Sequence, residues 1–220
     1  MTDKKDPQGT GEKFNLETYM EARKVARRIA FLFASHMDQG MSEEDGLHIL
    51  DELFKKHNIE KKWHPSKFRI GKNTLKGFKE KSEPGIKLQK EDIYFIDIGP
   101  VINGHEADYG QTFTVGQNQD YAHAQKTSKK VFDELSSVWR EKKVTGKELY
   151  REAKNLAKKY GYELNEDMQG HRLGDLPHAV HHKGKLGDFE STPVENLWML
   201  EIHLRHPEKP FGAFFEDVLF

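Results

Sequence analysis

Cysteine is absent from this chain of 220 residues. That excludes a disulfide framework, a thiolate nucleophile and a thiolate-ligated metal, so a bound metal would have to be held by carboxylates and imidazoles. Long apolar runs are missing as well. None approaches the roughly 20 residues that a membrane span needs, and the opening MTDKKDPQGTGEKF lacks the apolar segment of a signal peptide. Charge of one sign is not in excess either: the formal net charge is −1, so nothing advertises nucleic acid as a partner. These absences predict a cytoplasmic protein that engages neither membrane nor nucleic acid. A homodimer is left open.

What remains is a chain with 32% charged and 35% hydrophobic residues, among them 14 Phe and 7 Tyr. So many large rings must pack somewhere, which argues for an ordered core beneath a well-solvated surface. Residues 1–13 are polar, with Pro7, Gly9 and Gly11, and read as a flexible lead-in. From Leu16 to Met37, Met20, Val25, Ile29, Leu32 and Phe33 recur at helical spacing. Gly40 ends that helix, and Ser42 with Glu43, Glu44 and Asp45 opens a second, which runs to about Asn58. Residues 59–90 predict loops with one short strand. Ile93–Ile98 is apolar and β-branched, Asn103-Gly104 is a hairpin turn signal, and Asp108–Val115 is the returning strand. Helices follow over 121–142 and, behind the capping box of Thr145 and Glu148, over 145–160. Gly161 sits where a C-cap glycine belongs. Strands are expected at 162–168, 198–204 and 211–220. The order is helix, helix, hairpin, helix, helix, strands, with two similar halves and no linker, which predicts one α+β domain over residues 14–220.

Several acids interrupt apolar segments. Asp97 lies within the strand Ile93–Ile98, where a lone carboxylate is costly unless it is paired or bound to a cation. A hairpin folded at Asn103-Gly104 places Asp108 close to directly opposite it, within reach of one cation. The plain alternative is that Asp108 caps a turn and Asp97 pairs with a lysine. Glu201 and Glu216 stand in the apolar stretches 197–202 and 214–219, where each taken alone reads first as an outward-facing strand residue. Gly170-His171 is followed by His178, His181 and His182, although most of the 12 histidines must be surface residues. Histidine with carboxylates is the donor set for Mn, Fe, Co or Zn.

In the order Asp, Asp, His, Glu, Glu, with the Asp pair on an apolar hairpin, the chain resembles the pita-bread metallopeptidases: methionine aminopeptidase, aminopeptidase P, prolidase and creatinase. The resemblance runs over about residues 16–220. It is carried by Tyr94-Phe95-Ile96-Asp97-Ile98-Gly99, Gly104, Ala107-Asp108, Thr112–Gly116, Gly170-His171, His178, Leu200-Glu201, Gly212 and Glu216-Asp217. It implies a pseudo-two-fold α+β fold around a curved, mainly antiparallel sheet, and two divalent ions (Mn, Co, Fe or Zn) held by Asp97, Asp108, His171, Glu201 and Glu216. Asp97 would hold one ion, His171 and Glu201 the other, and Asp108 and Glu216 would bridge them. A water shared by the ions would be acidified to a nucleophile, with Glu201 shuttling its proton and His178 polarising the substrate carbonyl. The implied activity is that of a manganese-type metallohydrolase related to the Xaa-Pro aminopeptidases, acting on a small peptide or amide.

The chain also departs from that pattern. Gly71–Phe78 lacks the family's upstream histidine, for which His64 is a doubtful substitute. Glu201 is followed by Ile202-His203 rather than Pro-Gly, and Phe214 stands where aminopeptidase P tends to have Arg. The metal shell is intact while the substrate shell is altered. This keeps open another chemistry at the same metals (a creatinase-like hydrolase, a lyase, or iron-dependent oxygen chemistry) and, against the retained ligands, a metal-free binding module. His181 reads as solvated; His182 and His203 are open.

Overall fold

The computed structural model describes residues 6–59 and 61–220. Helix α1 (Leu16–Ala34) opens on Asn15, whose side chain accepts from the Thr18 backbone N–H. It buries Tyr19, Ala22, Ala26, Ile29, Ala30 and Phe33, the three-and-four spacing of one helical face. Helix α2 (Glu43–Lys56) starts on a capping box between Ser42 and Asp45. Strands β1 (Lys61–Lys62) and β2 (Lys67–Ile70) precede β3 (Asp92–Ile98). A hairpin follows in four pieces: β3, β4 (Pro100–Ile102), β5 (His105–Glu106) and β6 (Tyr109–Val115). Its turn is Asn103-Gly104, both at positive φ (49° and 76°), as a two-residue I′ turn demands. Helices α3 (Gln119–Lys142) and α4 (Gly146–Lys159) come next, α4 on the expected Thr145–Glu148 box. Then come β7 (Glu163–Leu164), β8 (His171–Arg172), β9 (Trp198–Arg205) and β10 (Gly212–Val218).

Seven strands form one antiparallel sheet in the order β2-β3-β6-β10-β9-β7, with β8 sharing the outer edge of β9 with β7. Strands β3, β6, β10 and β9 are therefore immediate neighbours. A small second sheet, β1-β4-β5, closes over one end. One face of the main sheet is covered by helices: α1 packs on β6, and α3 on β9 and β10, with Phe132 of α3 meeting Phe215 at 5.0 Å. The other face carries the acids.

Three expectations need correcting. The predicted strand 162–168 shrinks to Glu163–Leu164, because from Asn165 the chain leaves β9 and bulges over the sheet. The first helix stops at Ala34 rather than Met37, its end capped by Ser35. The stretch read as a flexible lead-in is, where described, tied to the body. Gln8 Oε1 accepts from Val194 N and Trp198 Nε1, Gly9 O accepts from Arg172 Nη2, and Gly11 N donates to Asp175. Residues 1–5 lie outside the described residues.

Among the described residues no helix is long and apolar enough to cross a membrane.

Candidate metal centre

Register builds the site. Asp97 of β3 is paired with Gly110 of β6, Gly110 with Glu216 of β10, and Glu216 with Glu201 of β9. Direct cross-strand partners share a face, so Asp97, Glu216 and Glu201 stand in one row with a side-chain-free position between the first two. Asp108 lies two residues before Gly110 and His171 pairs with Met199, two before Glu201. Both therefore fall on the same face, one step along the strands. Asp97 and Asp108 are thus diagonal neighbours rather than directly opposite. The turn position fixes this, because the hairpin pairs residue 97 with residue 110. The five sequence-predicted donors converge, and all of them line one cavity of about 320 Å3.

Contacts within the cluster are close. His171 Nε2 is 3.1 Å from Asp108 Oδ2 and 3.5 Å from Glu201 Oε1. His64, rated doubtful on sequence, enters the same cluster: its Nε2 is 3.4 Å from Asp97 Oδ1 and 3.3 Å from Asp108 Oδ1. Burial lifts Asp97 to about 7 and raises Glu201 and Glu216, with neighbouring carboxylates adding to the effect. Burial also acts on Asp108, but hydrogen bonds from His171 and His64 hold it below the usual carboxylate range. Burial opposes charging the two imidazoles, yet the facing carboxylates overrule it and push both His64 and His171 up to about 9. The cluster carries more negative charge than its surroundings solvate, and without a cation it must hold protons instead.

The donors fit divalent ions. Glu216 is 2% exposed, and its Oε1 has no hydrogen-bond partner, an orphan that ordinary packing does not tolerate. A Cβ on Gly110 would stand 2.5 Å from that oxygen and 2.4 Å from the Phe214 ring, so only glycine keeps this space open. The Nδ1 of His171 lies 2.8 Å from the Arg172 carbonyl. A carbonyl can only accept, so Nδ1 carries the proton and Nε2 is free to ligate, as second-shell partners of metal-bound imidazoles arrange. Asp97, Asp108, His171, Glu201 and Glu216 are the residues that could hold two ions.

Around them stand Trp63, Phe78 and Met168 as apolar walls, with Lys79, Asp167 and Lys185 as charged groups lining the same cavity. His178 opens a single 3-10 turn (His178–Val180), and its ring lies 5.6 Å from that of His171, outside the acid cluster. Its Nδ1 meets Glu106 Oε2 at 2.5 Å, and its backbone N–H donates to Glu106 Oε1 at 3.2 Å. Glu106, at 1% exposed, was invisible to sequence reasoning. Its only signal was an acid between His105 and Ala107 at the tip of the metal hairpin. The expectation of a solvated His181 is corrected: its side chain is 9% exposed and faces Asp175 at 3.4 Å. His203 is fully buried, donating to the Thr74 carbonyl and accepting from Asn165, and burial pushes it down to about 4. It does not line the cavity; nor does His182, whose ring packs on Phe189 and Trp198.

A hairpin, a histidine strand and two glutamate strands converging on one face of this sheet define a carboxylate–histidine centre suited to divalent metal on the pita-bread fold. Residues 17–220 match metallopeptidase family M24, and the chain belongs to that family. Its structure is similar to the X-Pro aminopeptidase of Thermotoga maritima MSB8 (TM-score 0.79, 19% identity, 97% of this chain and 60% of that one). It is also similar to the prolidase of Pyrococcus horikoshii OT3 (0.77, 19%, 96% and 60%) and to a His350Ala form of Escherichia coli aminopeptidase P (0.74, 16%, 96% and 54%). The chain thus spans less than two thirds of the length of these neighbours. A comparison with curated proteins returned no match.

Proposed function

We propose that the protein is a metal-dependent hydrolase related to the Xaa-Pro aminopeptidases, cleaving a peptide or amide bond of a small substrate in the cytoplasm. The observation that carries this reading is the convergence of four carboxylates and His171 on one sheet face, with His178 beside them and outside the cluster. Two divalent ions such as manganese, when bound, would acidify a water and polarise the scissile carbonyl. Glu201, at the β9 end of the row, would take the proton from that water and return it to the leaving amine. His178, whose Nδ1–H is committed to Glu106, presents Nε2 to the cavity, where in the protonated form it donates to the carbonyl oxygen as charge builds there. Trp63, Phe78 and Met168 supply an apolar wall for a substrate side chain, and about 320 Å3 suits a substrate of a few residues.

The altered surroundings favour a second reading, other chemistry at the same ions. The stretch Gly71–Phe78 lacks the upstream histidine usual in the family, and Phe78 lines the cavity from it instead. A panel of di- and tripeptides, with and without proline at the second position, discriminates the two when assayed with Mn, Co, Fe and Zn. Release of the N-terminal residue supports the hydrolase. Metal-loaded protein that cleaves no member of the panel points to the second reading.

A further inference from the structure

We propose that His64 is itself a metal ligand, a sixth donor residue that gives the ion on the Asp97 side an imidazole of its own. The inference rests on the two-ion reading of the site.

Geometry carries it. The Nε2 of His64 lies 3.4 Å from Asp97 Oδ1 and 3.3 Å from Asp108 Oδ1, and the nearest donor atoms of these three residues lie within 4.8 Å of one another. With donor–metal distances of about 2.1 Å, two donors at that separation subtend roughly 105° at a shared ion, inside the tetrahedral range. His171 relates to Asp108 and Glu201 in the same way, at 3.1 and 3.5 Å. Each half of the site then holds one imidazole, with Asp108 touching both.

The tautomer agrees. The Nδ1 of His64 lies 3.0 Å from the Pro65 carbonyl, so Nδ1 carries the proton and Nε2 is directed at the carboxylates, as for His171 and Arg172. An Nε2 aimed at two carboxylate oxygens needs a positive charge between them, a proton in the empty site or a metal ion in the filled one. The site is also built to seat this ring. Trp63 and Phe78 hold it edge-on at 4.3 and 5.4 Å, and Trp63 is anchored by its indole N–H on the Ala107 carbonyl. A Cβ on Gly99 would lie 2.2–2.3 Å from the imidazole, so the residue after the Asp97 strand must be glycine for His64 to enter. A second nitrogen donor moves the site's preference from manganese toward zinc, cobalt or iron.

The test is titration of chelator-stripped protein with Zn(II) by calorimetry, with metal content after desalting measured by mass spectrometry. The wild type is expected to take up two ions per chain. His64→Phe keeps a ring against Trp63 and Phe78, and His64→Asn serves as a second variant should the phenyl group disturb packing; folding of each is checked by circular dichroism. Either is expected to retain one ion and bind the other well over about 100-fold more weakly, beyond the roughly 10–100-fold that loss of an outer-sphere partner costs. Two ions bound with wild-type affinity in a folded variant would overturn the assignment, even with activity lost, and would turn His64 toward the substrate instead. A wild type that takes up no zinc would overturn the two-ion reading together with it.

Discussion

Glu106 and His178 show what a single residue contributes here. A glutamate buried to 1% exposure is costly without donors, and it receives two from one partner, the ring and the backbone of His178. The pair fixes both the position of the loop and the orientation of the imidazole. His178→Ala is expected to lower turnover by roughly 10²–10³ with metal content unchanged, the loss typical of one oxyanion donor. Glu106→Gln keeps the size of the side chain but weakens its hold on the ring, and is expected to lower turnover by at least about tenfold with metal content unchanged. Metal stoichiometry beside single-substrate kinetics checks both. Loss of metal in His178→Ala would place that residue in the metal shell instead. His178 was legible because a histidine seven residues after Gly-His is a family signature. Glu106 was not, since a lone acid in a turn looks like any solvated loop residue until the loop bearing His178 folds onto it.

At the scale of elements, the outer edge of β9 decides how Glu201 is held. β7 covers one end of that edge and β8 the other, and between them residues 165–170 bulge away to wall the cavity. The backbone of Glu201 is left without a strand partner on that side, and the hydroxyl of Tyr150 on α4 fills the gap. It donates to the Glu201 carbonyl at 2.9 Å and accepts from the Glu201 N–H at 3.0 Å. Tyr150→Phe strands both groups in a buried setting, and a loss of roughly 1–3 kcal/mol in unfolding free energy is expected, measured by denaturant titration. Activity is expected to fall further than stability alone explains, because Glu201 loses its anchor. Unchanged stability would mean that water replaces the hydroxyl. The helices were readable from their periodicity and caps: Ser42 with Asp45 and Thr145 with Glu148 both form boxes. The break between β7 and β8 was not: only Tyr162-Glu163-Leu164 alternates as a strand does, Asn165-Glu166-Asp167 are residues that strands avoid, and the helix packed beside them makes the unpaired edge affordable.

The molecule as a whole turns local patterns into one site by register. Each acid alone was ambiguous on sequence, and the sheet order β3-β6-β10-β9 removes the ambiguity by aligning Asp97, Gly110, Glu216 and Glu201 across four strands. That alignment was foreseeable only through the resemblance, since the pairing of Gly110 with Glu216, which joins the two halves of the row, links segments far apart in sequence and leaves no local trace. Gly110 and Gly99, which make room for Glu216 and His64, look like ordinary strand glycines until their neighbours are placed. The central claim is that this row, with Asp108 and His171, holds two metal ions. The most direct measurement is a crystal structure of metal-loaded protein with anomalous scattering recorded across the absorption edge of the bound element. The account predicts two anomalous peaks roughly 3.5–4 Å apart, with Asp108 and Glu216 between them; no peak at the cluster, or a peak that leaves Glu216 untouched, would contradict it.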